Sequence, residues 1–235
     1  MAPTLVSAAV GALLAAALLG RAFDRRAVAV VVAAALLPRL DAAASLVVPG
    51  ATNAFLHAVW APLLVGGALY LDTVRRPAGA SALRDRFGRR GVRVAWVALA
   101  SFVVAGIGAA LFAGEGAALL YPLEDARYVV RGRLVFSTQE GVVQTFLAPD
   151  GDGPGVLPLG RAGGTVADPV ASWINPDGRP GFDPRADREF RFVDGGWQLV
   201  VVAAAAATLA VRFGGRDGDT TGDDGSGASD DGVSR

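Results

Sequence analysis

Apolar residues gather in runs along the chain, and most charged residues lie between the runs. The runs at 5–19, 54–71, 94–112 and 197–211 contain no arginine, aspartate or glutamate. About 20 apolar residues cross the hydrocarbon core of a bilayer, so runs near that length predict transmembrane helices. The last run has only 15 residues, but Trp197 and Arg212 at its ends are typical interfacial anchors.

A further apolar segment, at 27–50, is interrupted by polar residues. Its first part, 27–37, has only 11 residues, and Pro38, Arg39 and Asp41 follow it. Proline lacks a backbone donor and clashes with the preceding turn, which predicts a break near this position. Two structures fit the pattern: one helix over 27–48 with a kink at Pro38, or a half-helix followed by a re-entrant or interfacial piece.

These patterns predict an all-α integral membrane protein with about five transmembrane helices and a short extracytoplasmic hairpin and loop segment. Residues 1–113 form a membrane domain of four spans, in which the interrupted segment is the second. Residues 114–196 form the extracytoplasmic segment, and residues 197–212 form the fifth transmembrane helix. Residues 213–235 are acidic and of low complexity, which predicts a disordered tail.

The extracytoplasmic segment contains two short β-prone runs, 133–137 and 142–146, on either side of Thr138-Gln139-Glu140-Gly141. This arrangement predicts a small β-hairpin. From 149 to 184 the chain is rich in Gly, Pro and Asp, and such a stretch buries little apolar surface. We therefore expect an irregular surface loop there.

The positions of the arginines predict the orientation of the protein in the membrane. Short loops rich in arginine face the cytoplasm, and the two basic loops lie at 21–26 and 75–93. The segment 72–93 carries seven arginines and two aspartates, whereas 114–196 carries eight arginines and twelve acids. We therefore expect a multi-pass protein of the cell membrane with its N-terminus outside and its C-terminus in the cytoplasm.

Composition narrows the function classes. The chain has no cysteine, which excludes disulfides and thiolate metal sites, and its single histidine excludes zinc signatures that need two. All 22 basic residues are arginine, and the formal net charge is zero, whereas nucleic-acid-binding proteins usually carry a basic domain. The expected partner is the lipid bilayer, with no nucleic acid; the sequence leaves a homo-oligomer open and does not identify a substrate.

The remaining candidate chemistry lies in Arg39, Asp41 and His57, which stand between apolar runs. Ionisable groups at membrane depth are costly, at about 2.5–3.5 kcal/mol for a central Arg or Asp, and often mark functional sites. Asp41 and His57 are therefore the candidate catalytic and metal-binding residues. Two other interpretations stay open: all three groups lie at the interface, or a break at Pro38 lets Arg39 and Asp41 pair.

The order of these features resembles the membrane-bound metal-dependent hydrolase family, related to a LexA-regulated inner-membrane hydrolase, in a form typical of haloarchaea. The resemblance covers residues 25–146 and 190–212. It implies a helical membrane fold, hydrolase activity and a divalent metal such as zinc. The stretches that carry it are LLPRLDA, VPGATNAFLHA, YLDTVRR, RFGRRGVRVAW, LLYPLEDARY, RGRLVFSTQEGVVQTF and GGWQL.

The chain departs from the family pattern at most metal-ligand positions. The family's Pro-Asp-x-Asp element falls on Pro38 to Asp41, with Arg39 in place of the first aspartate. Its His-Arg-x-x-x-His element falls on Thr52, Asn53 and His57, so only the second histidine remains. A later His-x-x-x-Asp pair falls near Gly106 and Ala110.

Only Asp41 and His57 remain of the family's set, and catalytic metal sites usually have three protein ligands. Arg39 would add positive charge where a cation would sit, and a third ligand from Glu115 or Asp125 would still give a weak site. The sequence thus favours a divergent member with a weakened metal site. An active metal-dependent hydrolase that uses Asp41 and His57 is the first alternative, and a transporter component with a broken helix at Pro38 is the second.

Overall fold

The computed structural model describes residues 4–112, 116–130, 134–137, 139, 141–144, 161–178, 180–188 and 192–217. This part of the chain is mostly helical. The α-helices are α1 (Thr4–Leu18), α2 (Arg25–Leu36), α3 (Asp41–Ala44), α4 (Trp60–Tyr70), α5 (Ala82–Ser101), α6 (Ala109–Leu111) and α7 (Gly196–Asp217). Turns of 3-10 helix form Gly20–Ala22, Leu37–Leu40 and Ala78–Ala80, and π-helical turns form Leu71–Arg75 and Phe102–Gly108.

Among the described residues, three helical stretches are long and apolar enough to cross a membrane. They are Arg25–Ala44, Ala82–Leu111 and Gly196–Gly214, and Thr4–Leu18 is a shorter apolar helix. The first stretch decides between the two structures that fit the interrupted segment. The helical path continues through Pro38 as the 3-10 turn Leu37–Leu40 and ends with α3, so the segment is one irregular helix as far as Ala44.

The third apolar run differs from the prediction. The sequence predicts a helix over 54–71, but α4 begins only at Trp60, and residues 45–59 form successive turns. Hydrogen bonds to other segments explain the late start, because the Ala118 amide donates to the Asn53 carbonyl and the Val59 amide donates to the Leu119 carbonyl. Backbone groups used in this way are not available for a regular helix.

Small side chains let the helices pack closely. Ala15, Leu19, Phe23, Val31 and Val97 belong to one core cluster shared by α1, α2 and α5. Where α1 meets α7, the buried residues of a second cluster are the alanines Ala9, Ala12 and Ala205. Helices that cannot gain hydrophobic stabilisation from water associate in this way, through close van der Waals packing of small residues.

Four short strands form two antiparallel pairs. Strands β2 (Leu134–Ser137) and β3 (Gly141–Gln144) pair around the turn where the sequence predicts a hairpin. Strand β1 (Ala126–Val129) pairs with β4 (Arg161–Thr165), with an irregularity between Ala126 and Tyr128. β4 lies inside the stretch predicted to be an irregular surface loop, so that prediction is wrong for 161–165.

Residues 116–130 and 161–178 form a layer, here called the cap, against the turns at 45–59. Asn175 donates from Nδ2 to the Ser45 carbonyl and hydroxyl, at 3.3 and 3.1 Å. At the other side, Ala117, Leu119 and Tyr128 are buried with Phe102 and Ile107 near the end of the α5 stretch. The cap thus closes the end of the helices at which Asp41 and His57 lie.

The opposite end of the helices, here called the arginine end, collects the basic residues. Arg90 at the start of α5 forms an ion pair with Asp24 before α2. Arg93 donates to the Leu19 carbonyl at 3.4 Å, and Arg212 of α7 donates to the Ala16 carbonyl at 2.8 Å. The end of α7 thus meets the 16–24 connection. α7 itself continues to Asp217, within the predicted tail, and residues 218–235 of that tail lie outside the described part.

Asp72 joins α4 to α5 at the arginine end. Its carboxylate accepts hydrogen bonds from the Ser81 hydroxyl and from the amides of Ala82 and Leu83, at 3.0–3.1 Å. The Leu83 amide is the largest of the causes that lower the pKa of Asp72 below its ordinary value. Asp72 therefore caps the helix that follows it, in addition to its ion pair with Arg76.

The capping of α5 by Asp72 predicts that the stability of the protein depends on pH. Because the folded-state pKa of Asp72 is lowered, its contribution to stability is present above the ordinary aspartate pKa and is lost as the pH falls through the lowered value. In full-length protein in detergent, Asp72→Asn should lower the thermal unfolding midpoint at about pH 7 and approach the wild type near about pH 3. Asp85→Asn, at an exposed aspartate nearby, is the control. A wild-type midpoint equal to that of Asp72→Asn at neutral pH would contradict this role.

A second prediction concerns Gly50, in the turns under the cap. Its φ is +74°, and a Cβ there would collide with the backbone carbonyl of Val166. Gly50→Ala should therefore lower the free energy of unfolding by about 1–3 kcal/mol. Gly67→Ala, in α4 with no atom within 4 Å of the new methyl group, should leave it unchanged or raise it. Reversible unfolding in detergent measures both, and equal stabilities of the two variants would refute the close approach.

Candidate functional site

The candidate site lies where α3 meets the turns at 45–59. Asn53 adopts a φ of +59°, a left-handed conformation that asparagine tolerates better than most residues. This turn directs the chain so that Leu56 and His57 return to the start of α3. His57 and Asp41 are both only 1% exposed.

Asp41 is bonded through both carboxylate oxygens. The Leu56 amide donates to Oδ1 and Oδ2 at 2.9 and 3.0 Å, and His57 Nδ1 lies 2.9 Å from Oδ2. The structure thus brings together the two residues that the sequence selects, although they are 16 positions apart. Asp41 fixes the last turn before α4 to the first turn of α3.

The bond to Asp41 also determines the tautomer of His57. A carboxylate only accepts, so Nδ1–H of His57 donates to it and Nε2 is left as an acceptor. His57 lies in the turns, outside the helical stretches that are long enough to span. Burial lowers the pKa of His57 below its ordinary value, because it penalises the charged imidazole more than the bond to Asp41 favours it. His57 is therefore neutral at physiological pH.

Arg39 points to a different partner. Its guanidinium donates to the Ser7 hydroxyl on α1 at 2.9 Å, so it joins the 3-10 turn Leu37–Leu40 to the first helix. Its charge also acts on His57, as one of the causes that lower the histidine pKa. A basic group whose field reaches this histidine disfavours a cation beside it.

Arg127 is a residue that the motifs do not identify. It is fully buried on β1 and donates to the carbonyls of Thr52 and Asp168, at 3.4 and 3.1 Å. Its guanidinium thereby joins the turns at 45–59 to both parts of the cap. One signal was present in the sequence: Arg127 stands between the apolar Ala126 and Tyr128 in a short β-prone run.

The other positions carried over from the family do not supply ligands. Asn53 Nδ2 donates to the Gly116 carbonyl at 3.0 Å, and the Thr52 side chain is buried in the same turn. Gly106 packs against Pro38, where an added Cβ would lie 2.7 Å from the proline ring. Ala110 is buried in the apolar cluster near Tyr128.

No group of three or more His, Asp or Glu side chains among the described residues could hold an ion. Glu124 accepts a hydrogen bond from the Tyr128 hydroxyl, Asp125 is exposed, and Glu115 lies outside the described residues. Asp41 and His57 therefore offer one carboxylate, which already accepts hydrogen bonds, and one imidazole nitrogen, fewer than the three protein ligands usual at a catalytic metal.

The Asp41 network predicts a large loss of stability on truncation. Asp41→Ala leaves the Leu56 amide and the buried His57 without their acceptor, which should cost about 2–4 kcal/mol of unfolding free energy. Asp41→Asn keeps one carbonyl acceptor and should cost less. Asp177→Ala, at an exposed aspartate, is the control. Unfolding of detergent-solubilised protein measures all three, and an Asp41→Ala variant as stable as the control would exclude a structural role.

Comparisons with known proteins do not add a relative. No protein-family model, no curated protein and no solved structure matches the chain. The resemblance to membrane-bound metal-dependent hydrolases therefore stays a prediction from the sequence.

Proposed function

We propose that the chain is a multi-pass protein of the cell membrane with five crossings. The proposed crossings are α1, the stretch from α2 to α3, α4 as far as Leu71, the stretch from α5 to α6, and α7. The packing supports alternating directions, because α1, α4 and α7 all end at the arginine end, whereas α2 and α5 begin there. By the distribution of arginine, this end is cytoplasmic, with the N-terminus outside and the C-terminus inside.

The exposed apolar surface supports this placement most directly. α4 has no buried residue, and Leu63 and Leu64 on it are 61% and 75% exposed. In α7, Leu199, Val200 and Val211 are exposed to a similar degree. A water-soluble monomer rarely exposes a continuous apolar surface of this kind, whereas lipid chains solvate it well.

Within this scaffold, we propose that Asp41 and His57 have a structural role and that the protein is a divergent, metal-free relative of the hydrolases it resembles. The observation that carries this proposal is the 2.9 Å contact between the two buried side chains, with Leu56 on the same carboxylate. The pair holds the cap side of the protein together and does not require a ligand. An active metal-dependent hydrolase is the alternative, for which Nε2 of His57 is the remaining acceptor.

A transporter role has less support. Broken helices often form binding sites in transporters. Here the chain passes Pro38 in a 3-10 turn and continues directly into α3, so the carbonyls and amides of this stretch stay within a helical path. The described residues near Pro38 are packed, since Pro38 is buried against Gly106.

The proposed orientation can be tested by labelling, because the chain has no native cysteine. Single cysteines at Val47, which is 80% exposed, and at the exposed Ala80 mark the two ends. In intact cells a membrane-impermeant maleimide should label Val47→Cys and should label Ala80→Cys only after permeabilisation. The reverse pattern, or labelling of both residues in intact cells, would contradict the orientation.

Metal content separates the structural role from the hydrolase alternative. Protein purified in detergent without chelators should contain well below one divalent ion per chain by elemental analysis, and His57→Ala should not change this value. Asp41→Asn provides the second comparison, because an Asp41 ligand would be weakened by loss of its charge. A stoichiometric ion that is lost in both variants would establish the hydrolase alternative and overturn the structural role.

A further inference from the structure

A groove of about 920 Å³ opens at the arginine end between the end of α1 and residues 89–100 of α5. It is distant in the fold from Asp41 and His57, which lie under the cap. Its lining changes character along α5. Arg89, Arg90 and Arg93 come first, and Trp96, Val97 and Ala100 follow toward the end of the helix.

Four arginines contribute to the charged part of this groove: Arg21 from the connection after α1, and Arg89, Arg90 and Arg93 from α5. Among the described residues, Asp24 is the one acid that forms an ion pair with them, and its partner is Arg90. The pKa of Asp24 is lowered, chiefly by the Ala27 amide, so this acid stays ionised and neutralises one charge. The groove therefore keeps an excess of positive charge.

Arg21 and Arg89 are the arginines free to meet a ligand. Both side chains are exposed, and neither forms an ion pair with an acid in the described part of the chain. Arg93 is partly committed, because it donates to the Leu19 carbonyl. Guanidinium groups are well suited to phosphate, since their planar donors bond two oxygens at once.

The apolar part of the groove determines which kind of anion fits. From Arg89 to Ala100 the helix rises by about 16 Å, from the charged end into the apolar wall. Leu18 faces the same groove from α1, and it is 47% exposed. Trp96 is held in position by a hydrogen bond from Nε1 to the Thr73 hydroxyl at 3.2 Å. A small inorganic anion would use only the charged part, whereas a lipid would use both.

We propose that this groove binds an anionic phospholipid, with the headgroup phosphate on Arg21 and Arg89 and a hydrocarbon chain along Trp96, Val97 and Ala100. Basic grooves between helices at the cytoplasmic side are suited to such headgroups. Each arginine near an anionic headgroup raises the affinity for the lipid by up to roughly tenfold. The proposal rests on the membrane placement proposed above and not on the role of Asp41 and His57.

Native mass spectrometry of the full-length chain, released from a non-ionic detergent, can measure lipid binding. Phosphatidylglycerol should bind at least about tenfold more tightly than phosphatidylcholine, because only the former carries a net negative charge. Inorganic phosphate at equal concentration should not displace it, which distinguishes a lipid from a free anion. The double variant Arg21→Gln/Arg89→Gln should bind phosphatidylglycerol about tenfold or more weakly.

The matched control is Arg75→Gln/Arg86→Gln, which removes two exposed arginines from the same basic region outside the groove. It should bind within about twofold of the wild type.

Equal losses in the two double variants would mean that only overall charge matters, and would overturn the proposal. Equal binding of the two lipids by the wild type, or displacement by phosphate, would overturn it even if a variant failed to fold. Correct labelling of Val47→Cys and Ala80→Cys with failed lipid binding would refute the groove and leave the orientation intact.

Discussion

The apolar surface that the helices leave exposed is the constraint on which the proposed membrane placement depends. α4 has no buried residue, and most of the apolar face of α7 is exposed on the surface of the chain. In a bilayer such helices gain nothing by hiding apolar surface, so close packing and internal hydrogen bonds hold them together. The alanine-rich contact of α1 with α7 and the buried cluster around Val31 and Val97 fit this requirement.

Most charged side chains lie at the two ends of the helices, and each end uses them differently. Under the cap, Asp41 and Arg127 satisfy backbone groups of the turns at 45–59 that a regular helix would have satisfied by itself. At the arginine end, Asp72 and Asp24 cap helices and pair with arginines, while other guanidinium groups stay exposed. Under the cap, buried polar groups stabilise the fold. At the arginine end, exposed arginines are available for binding.

The sequence predicts the helical class and the hairpin better than it predicts where each element begins and ends. Apolar runs and arginine clusters are local patterns, so the helical stretches and the hairpin turn can be read from them. The start of α4 at Trp60 and the strand at 161–165 depend on contacts with distant residues, which no local pattern contains. Asp41 and His57 can be selected from the sequence because they are polar residues between apolar runs, which is a local pattern. The role of Arg127 depends on its contacts between the cap and the turns at 45–59, which the sequence does not show.

The central claim is that lipid covers the exposed apolar faces, and a spin label on α4 tests it most directly. A single cysteine at Leu64, which is 75% exposed, can carry a nitroxide because the chain has no other cysteine. In reconstituted bilayers, the account predicts strong relaxation of the label by dissolved oxygen and weak relaxation by a water-soluble nickel complex. Strong relaxation by the nickel complex would place α4 in water, and weak relaxation by both would place it against protein; either result would contradict the account.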